Sequence, residues 1–211
     1  MNGNIITDKD YYELNGIRIE FYFDAESDGY ILEWAGGHSD TLFIPNTING
    51  KPVKYIEFAD WGTGGYDKVI VSENNPYFKA VDGVLFTGDM KELLIYPIEK
   101  KDKVYFIPDG VELIGEDSFN SNKYINTLVF PHRFKLIVQY TLAVCENLET
   151  LYLPATLERV LLKAFYAAGP LRNVYYEGTE QDWNNIDFTD CNWSLTDAEI
   201  HFNYDYQKIK F

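Results

Sequence analysis

Apolar and polar residues alternate in short runs that recur along the second half of the chain. Three of these runs end in a proline, and Pro108, Pro131 and Pro154 stand 23 residues apart. The residues one and three places before each proline are apolar or aromatic, which is the period-two pattern of a half-buried strand. A fourth run, at 173–177, keeps the spacing without the proline. A fixed period of this length predicts a solenoid whose coils bury their apolar faces by stacking on one another.

Further apolar positions recur three, six, eleven and seventeen places after the proline and predict the core of the coils. These positions hold Val111, Phe134, Leu157, Ile114, Ile137, Val160, Phe119, Leu142, Phe165, Ile125, Leu148 and Leu171. Segments 115–119 and 162–166 lie between these positions and are expected to be short helical or turn segments. They are too short to form stable helices alone.

The repeat continues upstream in a less regular form. A repeat unit is predicted to open at 42–45, and segment 52–56 is expected to carry an insertion of a few residues. Trp61 is expected in a large apolar slot, the next strand is predicted at 69–72, and a hairpin is predicted at 84–97 with its turn at 87–90. Near the start, Ile17, Ile19, Phe21 and Phe23 alternate with polar or tyrosine positions, as in a strand with one buried face.

The ends of a solenoid need caps, because an open coil exposes core and strand edge. We therefore predict one solenoid domain over 1–211. An N-terminal β cap covers 1–41, repeats with a hairpin insertion at about 76–97 cover 42–177, and a C-terminal cap covers 178–211.

Composition narrows the class of partner. The chain has 211 residues, 46% hydrophobic and 17% aromatic, which suits one folded domain. A net charge of −15 favours solubility and argues against nucleic acid and anionic membranes as partners. No run approaches the ~20 apolar residues of a spanning helix, so no membrane insertion is predicted. The first residues show no leader pattern, which leaves a cytoplasmic location open.

The two cysteines are predicted to be free thiols. Cys145 and Cys191 are 46 residues apart, which is twice the period and would place them in the same slot two coils apart, with Ala168 between. Two coils separate them by roughly 10 Å at a strand spacing of about 4.8 Å. A disulfide needs Cα atoms within about 7 Å, so we expect small apolar ladder residues instead.

The repeat resembles that of the BspA-type leucine-rich repeat family of bacteria. The shared features are a strand ending in Ile-Pro, an apolar pair three apart and a turn such as 163–165; segments 73–86, 174–183 and 198–202 are also typical. The resemblance covers about residues 20–204 and implies a leucine-rich-repeat solenoid, β-rich with short helical or turn segments. It also implies a secreted or cell-surface protein engaged in adhesion and protein interaction, with no shared catalytic residues.

The residues that could carry chemistry are scattered, so no catalytic residue, metal site or cofactor is predicted. His38, His132 and His201 share no motif spacing, and His132 is expected to be a solvated turn residue. Metal or triad chemistry needs such groups clustered.

Two acidic segments have simpler interpretations than catalysis or calcium binding. Segment 24–29 resembles the start of a calcium loop, but Ala35 stands where that loop needs its bidentate Glu, so a hairpin turn is predicted. A second stretch holds Glu177, Glu180, Asp182, Asp187 and Asp190. Paired carboxylates at a set distance can hydrolyse glycosides, but a solvated acidic cap is favoured.

One position suggests a binding surface. We call the residue two places before the proline the outer slot, because it points away from the core pair. It holds Phe43, Ile70, Ile95, Phe106, Val129, Tyr152 and Tyr175, where a solvated face would carry polar residues. Three interpretations stay open: the row is covered by the hairpin, the caps or a second copy, it only reflects β-propensity, or it is exposed as an interaction site.

The sequence therefore favours a non-enzymatic interaction or adhesion module. Its partner would be a protein, for example a host or cell-surface protein, and its candidate binding residues are Phe106, Val129, Tyr152, Tyr175, Phe43 and Ile95. A carbohydrate-binding module and a self-associating structural protein are the alternatives, and a glycoside hydrolase that uses Glu177 or Asp182 is the least favoured. The sequence leaves the ligand and the oligomeric state open.

Overall fold

The computed structural model describes residues 3–57 and 64–209. The chain forms two compact units, Met1–Lys100 and Lys101–Phe211, called unit 1 and unit 2 below. Trp61 lies outside the described residues. Within the described ranges, no helix is long and apolar enough to cross a bilayer. The single-domain boundaries given above remain predictions.

Unit 1 is built from strands. They are β1 (Asn4–Ile5), β2 (Tyr11–Leu14), β3 (Ile17–Asp24), β4 (Gly29–His38), β5 (Thr41–Ile44), β6 (Thr47–Ile48), β7 (Lys51–Ile56), β8 (Gly64–Gly65), β9 (Lys68–Val71), β10 (Phe78–Val81), β11 (Val84–Thr87) and β12 (Glu92–Ile95). One sheet has the order β1-β6-β7-β4-β3-β2, with β8 paired to β4. Strands β5 and β9 form a parallel pair, and β10, β11 and β12 form an antiparallel meander.

The alternation at the start of the chain produces the buried face of β3. Ile17, Ile19 and Phe21 are 1%, 1% and 4% exposed, as expected. Phe23 is 45% exposed, so its predicted burial is wrong. It lies near the end of β3, past a register shift between Glu20 and Phe21, and its only described aromatic contact is edge-on with Tyr30.

The hairpin prediction is confirmed, with one strand that the pattern missed. Strands β11 and β12 pair antiparallel, and the turn between them contains Met90 in the left-handed region at φ 63°. Strand β10 adds to β11 on its other side, from Phe78 opposite Thr87 to Val81 opposite Val84. The insertion is therefore a three-stranded meander.

Unit 2 is a regular solenoid. Its elements are β13 (Val104–Phe106), β14 (Leu113–Ile114), β15 (Thr127–Val129), β16 (Leu136–Ile137), β17 (Thr150–Leu153), β18 (Arg159–Val160), β19 (Asn173–Tyr176), α1 (Glu180–Trp183), β20 (Asp187–Phe188), α2 (Trp193–Thr196), β21 (Glu199–His201) and a 3-10 helix (Tyr206–Lys208). One parallel sheet runs β13-β15-β17-β19-β21, and a smaller one runs β16-β18-β20.

The 23-residue register is confirmed. Val104 pairs with Thr127, Thr127 with Thr150 and Thr150 with Asn173. All twelve predicted core positions are buried; Leu171, the most exposed of them, is 9% exposed. Segments 115–119 and 162–166 form turns rather than helices.

The return path is the chain that connects one strand of the larger parallel sheet to the next, and it uses backbone conformations that the sequence did not suggest. At one equivalent position of successive coils the backbone is left-handed although no residue there is glycine. These residues are Asp117, Tyr140, Lys163 and Cys191, at φ 58°, 56°, 59° and 66°. Such conformations are uncommon for residues with a Cβ atom and carry a small energetic cost. Hydrogen bonds between coils oppose this cost, because the Leu142 N–H donates to the Ala164 carbonyl and the Val144 N–H to the Tyr166 carbonyl, both at 2.9 Å.

The last coil is longer than the others, which corrects the predicted cysteine positions. Asn173 pairs with Glu199, 26 residues later, and Arg159 with Asp187, 28 residues later, because α1 is inserted between β19 and β20. Cys191 therefore occupies the left-handed position that follows Lys163, not the slot of Cys145. Both cysteines are free; Cys145 is buried and Cys191 partly exposed.

Replacing Phe165 with Ala should lower the free energy of unfolding by about 3–5 kcal/mol, because it leaves a cavity at a fully buried core position. The neighbouring Tyr166→Ala is the matched control, since Tyr166 is 45% exposed and its loss should cost less than about 1 kcal/mol. Urea unfolding followed by circular dichroism measures both. Equal losses for the two variants would contradict the assigned coil register.

The two thiols should differ sharply in reactivity in the native protein. Burial raises the pKa of the Cys145 thiol to about 12, and its Sγ donates to the Phe119 carbonyl at 3.1 Å. The thiolate is the reactive form, so alkylation by iodoacetamide should modify Cys191 first and Cys145 only after unfolding. Peptide mass spectrometry after timed alkylation measures the order. Early labelling of Cys145 would show that this part of the core is open to solvent.

Candidate functional site

The outer slot forms one continuous row in unit 2. Phe106 pairs with Val129, Val129 with Tyr152, Tyr152 with Tyr175 and Tyr175 with His201 across the parallel sheet. We call these five residues the outer row. Parallel pairing places the same strand position of each coil side by side, so side chains on one face align.

Aromatic stacking orders the C-terminal half of the outer row. The Tyr152 and Tyr175 rings are stacked with centroids 4.8 Å apart and planes 15° apart. The Tyr175 and His201 rings are stacked at 4.6 Å and 17°. These separations match the spacing of neighbouring strands, about 4.8 Å, so the sheet itself sets the stack.

Residues 203–209, called the tail, lie across this stack. The tail is attached by two backbone hydrogen bonds, from the Asn203 N–H to the Gly178 carbonyl at 2.9 Å and from the Tyr204 N–H to the Tyr176 carbonyl at 3.0 Å. The Tyr204 ring centroid is 4.8 Å from that of Tyr175 and 5.3 Å from that of Tyr152. The coverage that the sequence left open is therefore supplied, over this part of the row, by the chain's own C-terminal cap.

Tyr206 makes the second aromatic contact of the tail. Its ring centroid is 4.5 Å from that of His132 and 6.5 Å from that of Tyr152. The Tyr206 hydroxyl is buried and has no hydrogen-bond partner among the described residues. Burial, with a smaller effect of the Glu177 charge, raises the pKa of Tyr206.

His132 is an exposed turn residue, as predicted, and it also belongs to this site. Its Nδ1 lies 3.2 Å from Glu177 Oε1, and its side chain is 52% exposed. Glu177 also accepts a hydrogen bond from the Ala155 N–H at 3.3 Å. His132 and His201, which appear unrelated in the sequence, thus lie on the same face of unit 2, in contact with Tyr206 and Tyr175 respectively.

Exposure divides the outer row into a covered part and an open end. Val129 is 4% exposed and Tyr152 is 9% exposed, whereas Phe106 is 51% exposed. Beside Phe106 lies a groove of about 340 Å³ whose lining includes Pro108, Pro131, His132, Tyr206 and Ile209. The open end of the row is thus a largely apolar surface bounded by two prolines and the tail, and Asp109 also lines the groove.

In unit 1 the candidate residues are placed differently. Phe43 pairs with Ile70 in the β5–β9 pair, where Phe43 is 3% exposed and Ile70 is 36% exposed. Ile95 belongs to β12 in the meander, opposite Leu85, and is half-buried. The expectation that Ile95 aligns with Phe43 and Ile70 is wrong, because the meander takes β12 into a different sheet.

The acidic segments have structural roles. Asp24 accepts hydrogen bonds from the Ser27 and Glu26 N–H groups at 3.0 and 3.2 Å, which confirms the hairpin turn. Hydrogen bonding from Ser27 lowers the pKa of Asp24. Asp182 closes the capping box of α1 with Thr179. Among the described residues, no group of three or more His, Cys, Asp or Glu side chains is arranged to hold a metal ion.

Sequence reasoning missed one member of the outer row and the residues that cover it. His201 was not assigned to the row because the last coil departs from the 23-residue period. The alternation of Ile200 and Phe202 around it is a signal that could have placed it in the row. Tyr204 and Tyr206 carry no comparable signal, since their positions depend on how the tail folds back.

The fold and the outer row define a leucine-rich-repeat solenoid. The family profile described as "BspA type Leucine rich repeat region" matches residues 102–209 in six copies. This match covers just over half of the chain, and the chain belongs to that family. Repeats of this kind are generally protein-interaction modules and are typically non-enzymatic. No curated protein matches the chain.

Several solved structures are similar to this chain. A structure of the pneumococcal vaccine antigen PcpA is 17% identical, with a TM-score of 0.46, over 80% of this chain and 56% of that one. A leucine rich cell surface protein from Faecalibacterium prausnitzii A2-165 is 17% identical, with a TM-score of 0.48, over 71% of this chain and 51% of that one. A leucine-rich repeat protein from Eubacterium ventriosum ATCC 27560 is 19% identical, with a TM-score of 0.41, over 64% of this chain and 48% of that one. The chain thus spans about half the length of the structures it matches.

The covered part of the outer row should give a distinct alkaline titration. Burial, with smaller effects of Tyr204 and Tyr175, raises the pKa of Tyr152 to about 12 from the usual 10.0. The folded state therefore holds this proton more tightly than the unfolded state. The corresponding stabilisation is complete below the unfolded pKa and is lost as the pH rises towards the folded one.

In the parent, the free energy of unfolding should fall as the pH rises between the two pKa values, 10.0 and about 12. Tyr152→Phe should make this fall smaller, because Phe has no hydroxyl proton to lose. Urea titrations at several pH values, together with phenolate absorbance of the folded protein, measure the effect. Parallel stability curves for the parent and Tyr152→Phe would contradict a buried Tyr152 hydroxyl.

Proposed function

We propose that this protein is a non-enzymatic interaction module that binds a protein partner at the open end of the outer row. The observation that carries the proposal is Phe106, which is 51% exposed beside a largely apolar groove of about 340 Å³. Exposed apolar patches of this kind tend to mark interaction sites, and aromatic side chains often dominate their binding energy. Adhesion to a host or cell-surface protein is the form of this function that the family resemblance implies.

The candidate residues now contribute unequally. Phe106 is the proposed anchor, and Val129, Tyr152 and Tyr175 support it from beneath or beside the tail. Phe43 is buried in unit 1 and Ile95 is a strand residue of the meander, so neither supports the proposal.

Protein binding is favoured over the alternatives on contacts within unit 2. A carbohydrate platform needs free Tyr faces, whereas the rings of Tyr152 and Tyr175 stack on each other and contact Tyr204. The carboxylates considered for glycoside hydrolysis serve other contacts: Glu177 contacts His132, and Asp182 accepts hydrogen bonds from the Thr179 N–H and hydroxyl. Self-association through Phe106 is separated from hetero-association by the experiment below.

The purified protein should be screened on an array of extracellular-matrix proteins and glycans beside the variant Phe106→Ser. We expect a protein ligand whose affinity falls by roughly thirtyfold in this variant, because loss of an anchoring aromatic residue costs about 2 kcal/mol. Tyr166→Ser is the matched control, because it removes a comparably exposed aromatic side chain from the return path. It should keep full binding.

A ligand that binds Phe106→Ser as well as it binds the parent would refute this site. A glycan hit would favour the carbohydrate alternative. Sedimentation of the parent alone, with association that Phe106→Ser removes, would assign the open end to contacts between copies of the chain.

A further inference from the structure

The tail occupies the outer row in the way that a bound peptide would. It adds two backbone hydrogen bonds at the edge of the row, from Asn203 to Gly178 and from Tyr204 to Tyr176. It then presents two aromatic side chains at positions i and i+2, Tyr204 and Tyr206. Tyr206 begins the 3-10 helix Tyr206–Lys208, and both rings contact residues on the face of the outer row.

The two rings of the tail engage neighbouring coils. Tyr204 packs against Tyr175 and Tyr152, with centroid distances of 4.8 and 5.3 Å. Tyr206 packs against His132 at 4.5 Å. The rings at positions i and i+2 of the tail therefore contact residues of successive coils.

The fit of the tail is incomplete at Tyr206. The hydroxyl of Tyr206 is buried without a hydrogen-bond partner among the described residues, which is unfavourable for a polar group. Beyond it, the groove of about 340 Å³ beside Phe106 is open, although Ile209 lies at its edge. A segment with Phe in place of Tyr206 and a large apolar residue for the groove would satisfy both features.

We infer that the outer row is a receptor for peptide segments with aromatic side chains at positions i and i+2, and that the tail is its resident, displaceable ligand. This inference rests on the proposed function, since it identifies the chemistry of the partner and the element that the partner must displace. A partner then binds Tyr152 and Tyr175 through its own rings and reaches Phe106 with a further apolar side chain.

The test uses a fluorescent peptide with the sequence of residues 203–209 and a second peptide with Ser at both Tyr positions. Binding is measured by fluorescence polarisation to the full chain and to the variant Tyr204→Ser/Tyr206→Ser. The tail competes with the peptide in the parent, so the variant should bind the first peptide at least about tenfold more tightly. The Ser peptide should bind neither protein.

Tyr206→Phe is the second variant, and it acts in the opposite direction. It removes the unpartnered hydroxyl and keeps the ring, so the tail should hold more firmly and peptide affinity should fall by about threefold. A peptide with Phe at the Tyr206 position should bind the double Ser variant better than the native peptide does. Circular dichroism and thermal unfolding confirm that each variant is folded.

Equal peptide affinity for the parent and the folded double Ser variant would overturn the inference, and so would equal binding of the Ser peptide. If the parent protein dimerised with rising concentration and the peptide dissociated the dimer, the row would be assigned to the tail of a second copy, and the assignment to a partner would be overturned.

If the peptide experiments contradicted the inference but an array ligand still depended on Phe106, the proposed function would stand and only the tail-like partner would be rejected. If the peptide bound as expected but no array ligand depended on Phe106, the Phe106 anchor would be the part that fails.

Discussion

Parallel stacking of one coil on the next is the interaction on which unit 2 depends. A single coil offers a strand of three or four residues and an apolar face that it cannot bury alone. Pairing of Thr127 with Thr150 and of Thr150 with Asn173 brings equivalent side chains to the same height. The buried ladders of Phe, Leu, Ile and Val follow from that register, and so does the alignment of the outer row.

The same stacking makes the outer surface of the sheet chemically specific. Side chains at the same position of adjacent strands contact one another on that face, because the strands lie about 4.8 Å apart. Val129 is buried at this position, whereas Tyr152 and Tyr175 form a stack of rings against which further aromatic rings can pack. Tyr204 and Tyr206 add such rings from the tail, and Phe106 extends the row beyond them into an open groove. A covered region next to an open one on a single face is the geometry that underlies both proposals.

Departures from the regular repeat are concentrated where extra chain is inserted. The meander in unit 1 takes Ile95 into a separate sheet, and α1 in unit 2 lengthens the last coil to 26 residues between paired strand positions. In both places the apolar pattern persists while the spacing changes. Extrapolating the 23-residue period across α1 placed Cys191 in the wrong slot, because local insertions change register without changing local propensity.

The sequence by itself determined the coil, its core and its family, because a period of 23 residues with apolar positions at fixed distances can be buried in few ways. It also determined which side chains occupy the outer slot of the regular coils. Only the tertiary structure decided that His132 meets Tyr206, that Tyr152 is covered while Phe106 is open, and that each return path contains left-handed residues other than glycine. These features arise from contacts between residues far apart in the chain, and the fold-back of the tail leaves no period in the sequence from which to read them.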